Sequence, residues 1–316
     1  MRGTFFHSIR PLLSSRRSVI IVLLAPPLLY TSATFVRLLH QYPTTKIHPS
    51  HPVYISRDNQ RFKQTHVHWF SAKVPLKTLL SSSQRSSVLS ESTDKDTSAI
   101  SKVQVEKQFP VPDKNPVENW TFAFFSTPTL SLEASSLGWL VGNGFNTGDQ
   151  ARDGVCVGQG LAHGLFRVIA FQTEEDIIEE SKNMIKRGEA KEADIVNGGV
   201  LGRVIVEYSM PDGLVRSWEV VAARYGWPWR HLSGGRHCLE VVSDGLIGRN
   251  ERDLEDEMVA VRFGCAVDLE RVNRVNGQED AKLMPWAFAW LHEMYARWLV
   301  DGAVNKLMRG IDGVRE

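Results

Sequence analysis

The chain of 316 residues is poor in the features that mark several protein classes. It has three cysteines, an odd and small number, so no disulfide framework is implied. Its formal net charge is only +1, which argues against a protein that coats nucleic acid. No GxSxG nucleophile elbow occurs, so the sequence gives no sign of an α/β-hydrolase. Because 42% of the residues are hydrophobic and 23% are charged, the chain can still form a packed core.

Acidic residues are absent from the first 57 positions, which carry seven lysines and arginines. Residues 115–316 are the reverse, with 21 basic and 30 acidic side chains. The near-neutral total therefore conceals a basic head and an acidic body. This asymmetry is typical of a targeting or anchoring segment that precedes a folded domain.

Residues 18–36 contain no charged side chain and are flanked by arginines. As a helix these 19 residues would span about 28 Å, close to the thickness of a bilayer core. We predict a basic N-terminus over 1–17 and a single-pass transmembrane helix or targeting segment over 18–39, in an endomembrane. The acid-free, Arg- and Ser-rich head also suits a mitochondrial presequence, which makes the mitochondrial inner membrane the runner-up, and a cleaved secretory signal stays open.

The remainder divides by composition into three parts. Residues 40–80 are predicted to form a stalk and a first strand, because 64–75 alternate between polar and apolar side chains. Residues 81–102 are predicted to be a disordered linker or insertion, since serine dominates and apolar residues are few. Residues 103–316 are predicted to be an α+β domain.

The first half of that domain mixes helices, loops and strands. The apolar run Val117–Trp139, interrupted by Pro128, predicts one or two helices. The glycine-dense run Gly142–Gly164 predicts loops around a short strand, Val155–Val157. Phe166–Phe171 then reads as a strand, and the charged run Glu174–Lys191 as a surface helix ending near Gly188.

The second half predicts a sheet followed by a long helix. Four strands are expected to form an antiparallel meander: Leu201–Ser209, Leu214–Tyr225, Arg236–Ser243 and Glu257–Glu270. Leu283–Arg309 reads as one helix that is buried over most of its surface and carries a charged stripe of Glu293, Arg297 and Asp301. The predicted fold class is therefore α+β, a curled antiparallel sheet with a long buried C-terminal helix, preceded by the transmembrane helix.

Motifs for cofactors and metals are weak. Gly158, Gly160 and Gly164 have GxGxxxG spacing, which departs from the dinucleotide fingerprint. The residues His231, His237, Cys238 and His292 lack the paired spacing of a zinc site. We therefore predict no cofactor and no metal. All three cysteines, Cys156, Cys238 and Cys265, lie in apolar strand contexts that predict buried, inert thiols.

An aromatic loop offers the candidate ligand site. It holds Tyr225, Trp227, Trp229, Arg230 and His231. Such a loop forms either the rim of an apolar cavity or a plug of core aromatics at one end of the sheet. For an enzyme, the candidate polar groups are His231, His237, Glu240 and Arg262, and no catalytic set can be assembled from spacing alone.

The order of these elements resembles the helix-grip superfamily of START-like lipid carriers and polyketide-cyclase-like proteins. The resemblance rests on the strands within Val200–Glu270 and the helix Leu283–Arg309. It implies a module that binds an apolar ligand such as a lipid or polyketide, and the uncharged run 18–36 adds the membrane anchor. A function in binding is favoured over catalysis, and the enzyme alternative stays open. Two alternatives stay open, a membrane-tethered scaffold or assembly protein and a cyclase-like or thioesterase-like enzyme on the same fold. The expected partners are a membrane, a small apolar ligand and other proteins, but not nucleic acid.

Overall fold

A computed structural model describes residues 31–49, 51–54, 62–81, 115–140, 142–187, 199–210, 212–225, 234–243, 257–270 and 286–312. The chain divides into two compact units, Met1–Pro43 and Thr44–Glu316. In the first unit, residues 31–41 are helical. The predicted basic N-terminus, residues 18–30 of the predicted transmembrane helix and residues 82–102 of the predicted linker lie outside the described residues. Within the described ranges, no helix has the length and apolar character needed to cross a bilayer.

The second unit contains a seven-stranded antiparallel sheet of order β1-β2-β7-β6-β5-β4-β3, counted over the described residues. The strands are β1 Thr44–Lys46, β2 Phe62–Pro75, β3 Gly160–Leu161, β4 Phe166–Thr173, β5 Gly199–Ser209, β6 Gly234–Ser243 and β7 Met258–Glu270. The helices are α1 Leu76–Ser81, α2 Pro116–Phe125, α3 Pro128–Leu140, α4 Glu174–Lys186, α5 Asp212–Arg224 and α6 Trp286–Asp312. A 3-10 helix, Pro52–Tyr54, lies between β1 and β2 in sequence. The α+β class, the antiparallel sheet and the C-terminal helix are thus confirmed.

The strand that was predicted before the serine-rich stretch is confirmed and lies inside the sheet. β2 pairs with β7 along its whole length, from Phe62 opposite Glu270 to Pro75 opposite Met258. Its other edge pairs with β1. Among the described strands, the first long strand therefore lies next to the last one.

Alternation along β6 divides the sheet into two faces. His237 and its cross-strand neighbours Val206 and Cys265 point to one face, which we call the helix face. There Phe124 of α2 stacks on Phe263 with ring centroids 4.5 Å apart. Residues of odd and even number alternate along β6, so Cys238 points to the second face, where Ile47, Val53, Trp69, Ile205 and Ala266 complete a core cluster.

The apolar run around Pro128, predicted to form one or two helices, forms two, α2 and α3. α2 begins with Pro116 at its first position, and Asn115 and Glu118 form a reciprocal capping box. The helix ends at Phe125, and α3 begins at Pro128. Proline ends one helix and starts the next because it lacks the N–H that a continuous helix needs but that a first turn does not use.

The predicted strand Leu214–Tyr225 is wrong, because Asp212–Arg224 forms helix α5. Both edges of β5 are already taken, since Ile205 pairs with Ala170 of β4 and with Cys238 of β6. No edge is left for a returning strand, and the segment contains good helix formers such as Leu, Glu, Ala and Arg. The meander therefore consists of β5, β6 and β7, and the connection from β5 to β6 is long.

Two further strand predictions have opposite outcomes. Val155–Val157 is not a strand, and the short strand β3 lies at Gly160–Leu161 instead. The strand predicted from Phe166 and the helix predicted from Glu174 are confirmed as β4 and α4. The glycine-dense stretch lacks the residues for a longer strand, since six of its glycines have positive φ, which breaks a regular ladder.

The C-terminal helix is confirmed as α6, but its orientation differs from the prediction. Arg297 and Asp301, expected on an exposed stripe, are buried, while Leu291 and Trp298 are exposed. Arg297 is accommodated because its guanidinium lies 5.2 Å from the centre of the Phe70 ring and 3.6 Å from Glu293. The contacts of Arg297 with Phe70 and Glu293 thus allow this charged side chain to be buried against the sheet, although the sequence pattern places it on the polar side of the helix.

A substitution at Gly202 of β5 tests how closely α2 packs against the helix face. A Cβ added there would meet Asn115 Oδ1 at 2.7 Å and Val117 Cγ1 at 2.8 Å. We expect Gly202→Ala to lower the free energy of unfolding by about 1–3 kcal/mol through overpacking. Gly199→Ala, on the same strand, is the matched control because its Cβ meets nothing within 4 Å. Urea denaturation of both variants checks this, and equal stabilities would contradict the described contact.

Candidate functional site

The aromatic loop predicted as the ligand site is described only at its first residue. Tyr225 directly follows α5 and is exposed. Trp227, Trp229, Arg230 and His231 lie outside the described residues, so the loop stays a prediction.

The enzyme candidates His237 and Glu240 both lie on β6, but the structure does not bring them together. They are three positions apart, so their side chains point to opposite faces of the sheet. Arg262 is the cross-strand partner of Glu240 and shares its face. A catalytic set that includes both His237 and Glu240 is therefore excluded by the strand geometry.

On the second face, Glu240 is the centre of a buried ionic cluster. Its Oε1 accepts a hydrogen bond from Arg203 Nε at 2.5 Å and lies 2.8 Å from His51 Nε2. Arg203 also donates through its Nη1 to Gln172 at 3.2 Å. The His51 ring contacts Trp69 edge-on, with centroids 5.1 Å apart. The cluster thereby connects the segment before β2 to strands β5 and β6.

Within this cluster, Glu240 and Arg203 each stabilise the ionised form of the other. Burial alone would raise the pKa of Glu240, but the hydrogen bond from His51 and the charge of Arg203 outweigh burial and hold that pKa below its usual value. Burial likewise works against the charge of Arg203, and the carboxylate of Glu240 outweighs it, so the pKa of Arg203 is raised. Glu240 and Arg203 are therefore an ion pair at neutral pH.

His51, Cys238 and Glu240 also bring three metal-ligand atoms within 4.8 Å of one another. Imidazole, thiolate and carboxylate are donors that zinc accepts. Yet His51 Nδ1 accepts the backbone N–H of Val53 at 3.2 Å, which leaves Nε2 protonated and facing Glu240. Arg203 already neutralises the carboxylate, and burial raises the pKa of the Cys238 thiol. These residues fit an ion-pair network better than a cation site.

On the helix face, His237 lies among aromatic rings. Its ring centroid is 4.9 Å from those of Tyr208 and Phe263 and 5.6 Å from that of Phe166. Both imidazole nitrogens are buried, and neither has a hydrogen-bond partner in the described part of the chain. The same holds for the hydroxyl of Tyr208. Neighbouring polar groups are thus buried without partners, which is rare in proteins.

These groups are uncharged at neutral pH. Burial, and to a lesser degree His292, lowers the pKa of His237 to about 3. Burial, assisted by Cys265 and Asp268, raises the pKa of Tyr208 well above its ordinary value. His237 therefore offers one donor and one acceptor nitrogen, and Tyr208 offers a hydroxyl that can donate or accept.

Cys265 lies next to His237 across the β6–β7 pair, and its Sγ is 3.0 Å from His292 Nε2 on α6. Burial, with a smaller contribution from Glu293, raises the pKa of this thiol to about 12. The sulfur is then a neutral thiol and a poor nucleophile. Burial of Cys238 and Cys265 was predicted correctly, but Cys156 is exposed because it lies in the glycine-rich loops.

Sequence reasoning named His237, Glu240, Cys238 and His292 and assigned His51 to the stalk. It missed Tyr208, Arg203 and the contact between Cys265 and His292. Only one signal was available, the i, i+2 spacing that places Cys238 and Glu240 on one face. Comparisons with protein-family models, curated proteins and solved structures find no match for this chain. The candidate site is therefore interpreted from its own geometry.

Proposed function

We propose that this protein is a membrane-anchored module that holds an apolar ligand between the helix face of its sheet and α6. The observation that carries the proposal is the pair of His237 and Tyr208, whose polar atoms are buried without described partners. A polar atom buried without a hydrogen bond destabilises a fold by about 1–3 kcal/mol. A ligand that supplies the missing bonds removes this cost, which makes binding favourable at this position.

The surroundings of the pair suit an apolar ligand body. Phe166 and Phe263 flank the imidazole. The neighbouring residues of the same face, Val206 and Leu239, are buried and apolar. Ligand sites of this kind combine apolar walls with few polar groups that fix orientation.

The helix-grip resemblance supports the same location. In that superfamily a sheet curls around the C-terminal helix and the ligand lies between them. Here β2 lies next to β7, and α6 packs over the strands with Arg297 on Phe70 and His292 on Cys265. The aromatic loop at Tyr225–His231 would then form the rim of the site.

Native mass spectrometry of the full chain tests the proposal. We expect protein gently released from membranes to carry a defined extra mass that disappears on denaturation. The double variant Tyr208→Phe, His237→Phe is expected to lose that mass, because the polar contacts are gone while the aromatic volume remains. Cys238→Ala is the matched control, since Cys238 is adjacent in sequence but points to the second face. A folded wild-type chain without extra mass would contradict the proposal.

The membrane anchor has its own test. The uncharged run 18–36 is the basis for this part of the proposal. We expect Leu23→Lys combined with Leu24→Lys to release the chain from the membrane fraction, because two charges in mid-helix oppose insertion by about 5–7 kcal/mol together. Extraction of membranes with alkaline carbonate provides the measurement. A variant that stays in the carbonate-resistant pellet would show that another segment holds the chain.

A second candidate function, a membrane-tethered scaffold, is favoured by one surface feature. Trp139 and Phe145 stack with centroids 6.0 Å apart, yet they are 58% and 77% exposed. Leu132 and Leu140 extend this exposed apolar surface along α3. Such surfaces commonly serve protein contacts. A native mass spectrum without an extra mass would favour the scaffold over the ligand carrier.

A further inference from the structure

The polar groups of the proposed ligand site share one property, the absence of net charge. Among the described residues, the titratable groups that contribute to the pKa shifts of His237 and Tyr208 are His292, Cys265 and Asp268. No lysine or arginine is among them. Of these groups, Cys265 shares the helix face with His237 and contacts His292 of α6, whereas Asp268 pairs with Gly234 and belongs to the second face.

The cations of α6 that face the sheet and α2 are engaged elsewhere. Arg297 lies over Phe70 and beside Glu293. Lys306 donates to the hydroxyl and the carbonyl oxygen of Ser126, 2.6 Å and 3.1 Å away, and its Nζ lies over the Phe122 ring. Both cations therefore already have ionic, polar or aromatic partners in the described part of the chain.

We infer that the ligand presents an uncharged oxygen, a hydroxyl or a carbonyl, to Tyr208 and His237, and that long-chain carboxylates and phosphates are rejected. This inference rests on the proposed function and narrows its substrate class. A hydroxyl both donates and accepts, so it can pair with the phenol and with either imidazole nitrogen. A carboxylate buried at the same place would lack a counter-charge, and its desolvation would be uncompensated.

The geometry also sets the orientation of the ligand. Tyr208 lies near the end of β5, and His237 lies opposite Val206 in the adjacent strand. The oxygen is therefore held at this end of the β5–β6 pair. Phe124 of α2 already covers Phe263. We therefore expect the apolar chain to run from His237 towards Cys265, where His292 of α6 approaches the sheet.

The test compares two photoactivatable probes of one chain length, a diazirine-bearing decanol and the matching diazirine-bearing decanoate, at pH 7.5 on the full chain in mild detergent. Peptide mapping after irradiation locates the label. We expect the alcohol to label peptides of β6, β7 or α6 at least about tenfold more than the carboxylate, the ratio that a 1.4 kcal/mol difference produces. We expect Tyr208→Phe, His237→Phe to lose that labelling and Cys238→Ala to keep it.

The outcomes separate this inference from the proposed function. Equal labelling of the helix-face peptides by both probes would overturn the inference and leave a ligand site of broader specificity. Labelling of those peptides by neither probe would overturn the proposed function and the inference with it. Alcohol labelling that persists in the double variant would also overturn the inference, because the oxygen would then be held by other groups.

Discussion

Replacement of His237 by phenylalanine is expected to leave the ligand-free chain as stable as the wild type or to stabilise it by about 1 kcal/mol. This would be unusual for a buried residue of a central strand, where most substitutions destabilise. The physical reason is that both imidazole nitrogens are buried without described partners, so their removal ends a desolvation cost. A phenyl ring of similar shape keeps the contacts with Tyr208, Phe166 and Phe263.

The measurement is urea denaturation of the delipidated full chain, followed by ligand retention in the native mass spectrum. We expect the free energy of unfolding to be unchanged while ligand retention is lost. This result would indicate that His237 contributes to binding and not to stability. His292→Phe is a useful contrast, because His292 contacts the Cys265 thiol and its loss is expected to destabilise. If His237→Phe lowered the free energy of unfolding by more than about 2 kcal/mol, the imidazole would have a structural partner and the binding site would have to be sought elsewhere.

Local patterns predicted most of the regular elements because their causes are local. The alternation in 64–75 and 201–209, the proline at 128 and the apolar character of 283–309 are all local patterns of sequence. The error at Leu214–Tyr225 has a tertiary cause. Its composition suits either structure, and the pairing of β5 with β4 and β6 decides for the helix.

The candidate sites depend on register and on distant contacts, which no local pattern contains. Tyr208 meets His237 because β5 pairs directly with β6, and the long connection that includes α5 leaves their relative register unspecified by a turn. His51 and Glu240 are 189 positions apart. Sequence reasoning could place Cys238 and Glu240 on one face, but it could not find the histidine that approaches them.

The orientation of α6 illustrates the same limit. The amphipathic pattern of the sequence predicts that Glu293, Arg297 and Asp301 face solvent. In the structure Arg297 covers Phe70 and Asp301 is buried, so charged side chains line part of the inner surface. Such packing is possible because arginine buries its hydrocarbon stem against an aromatic ring while its head keeps an ionic partner.

The second large effect is expected at Glu240. Glu240→Gln leaves the guanidinium of Arg203 buried without its counter-ion, which is expected to lower the free energy of unfolding by about 3–5 kcal/mol. The double variant Glu240→Leu, Arg203→Met removes both charges and is expected to recover most of this loss, because apolar replacements of a buried ion pair are often tolerated. Equal losses in the single and double variants would contradict the ion-pair description.

The pH dependence gives an independent check with a defined sign. The pKa of Glu240 is lower in the folded chain than its ordinary value of 4.5, so the folded state binds this proton more weakly than the unfolded state. The contribution of Glu240 to stability is therefore present above pH 4.5 and is lost as the pH falls through the folded-state pKa. Urea denaturation of the wild type across this range is expected to show the loss, whereas Glu240→Gln is expected to be less stable at pH 7 and to have a flatter acid limb. If the variant kept the full acid dependence of the wild type, the acid sensitivity would arise from other carboxylates. The ionic cluster at Glu240 would then not stabilise the contact between the segment before β2 and the sheet.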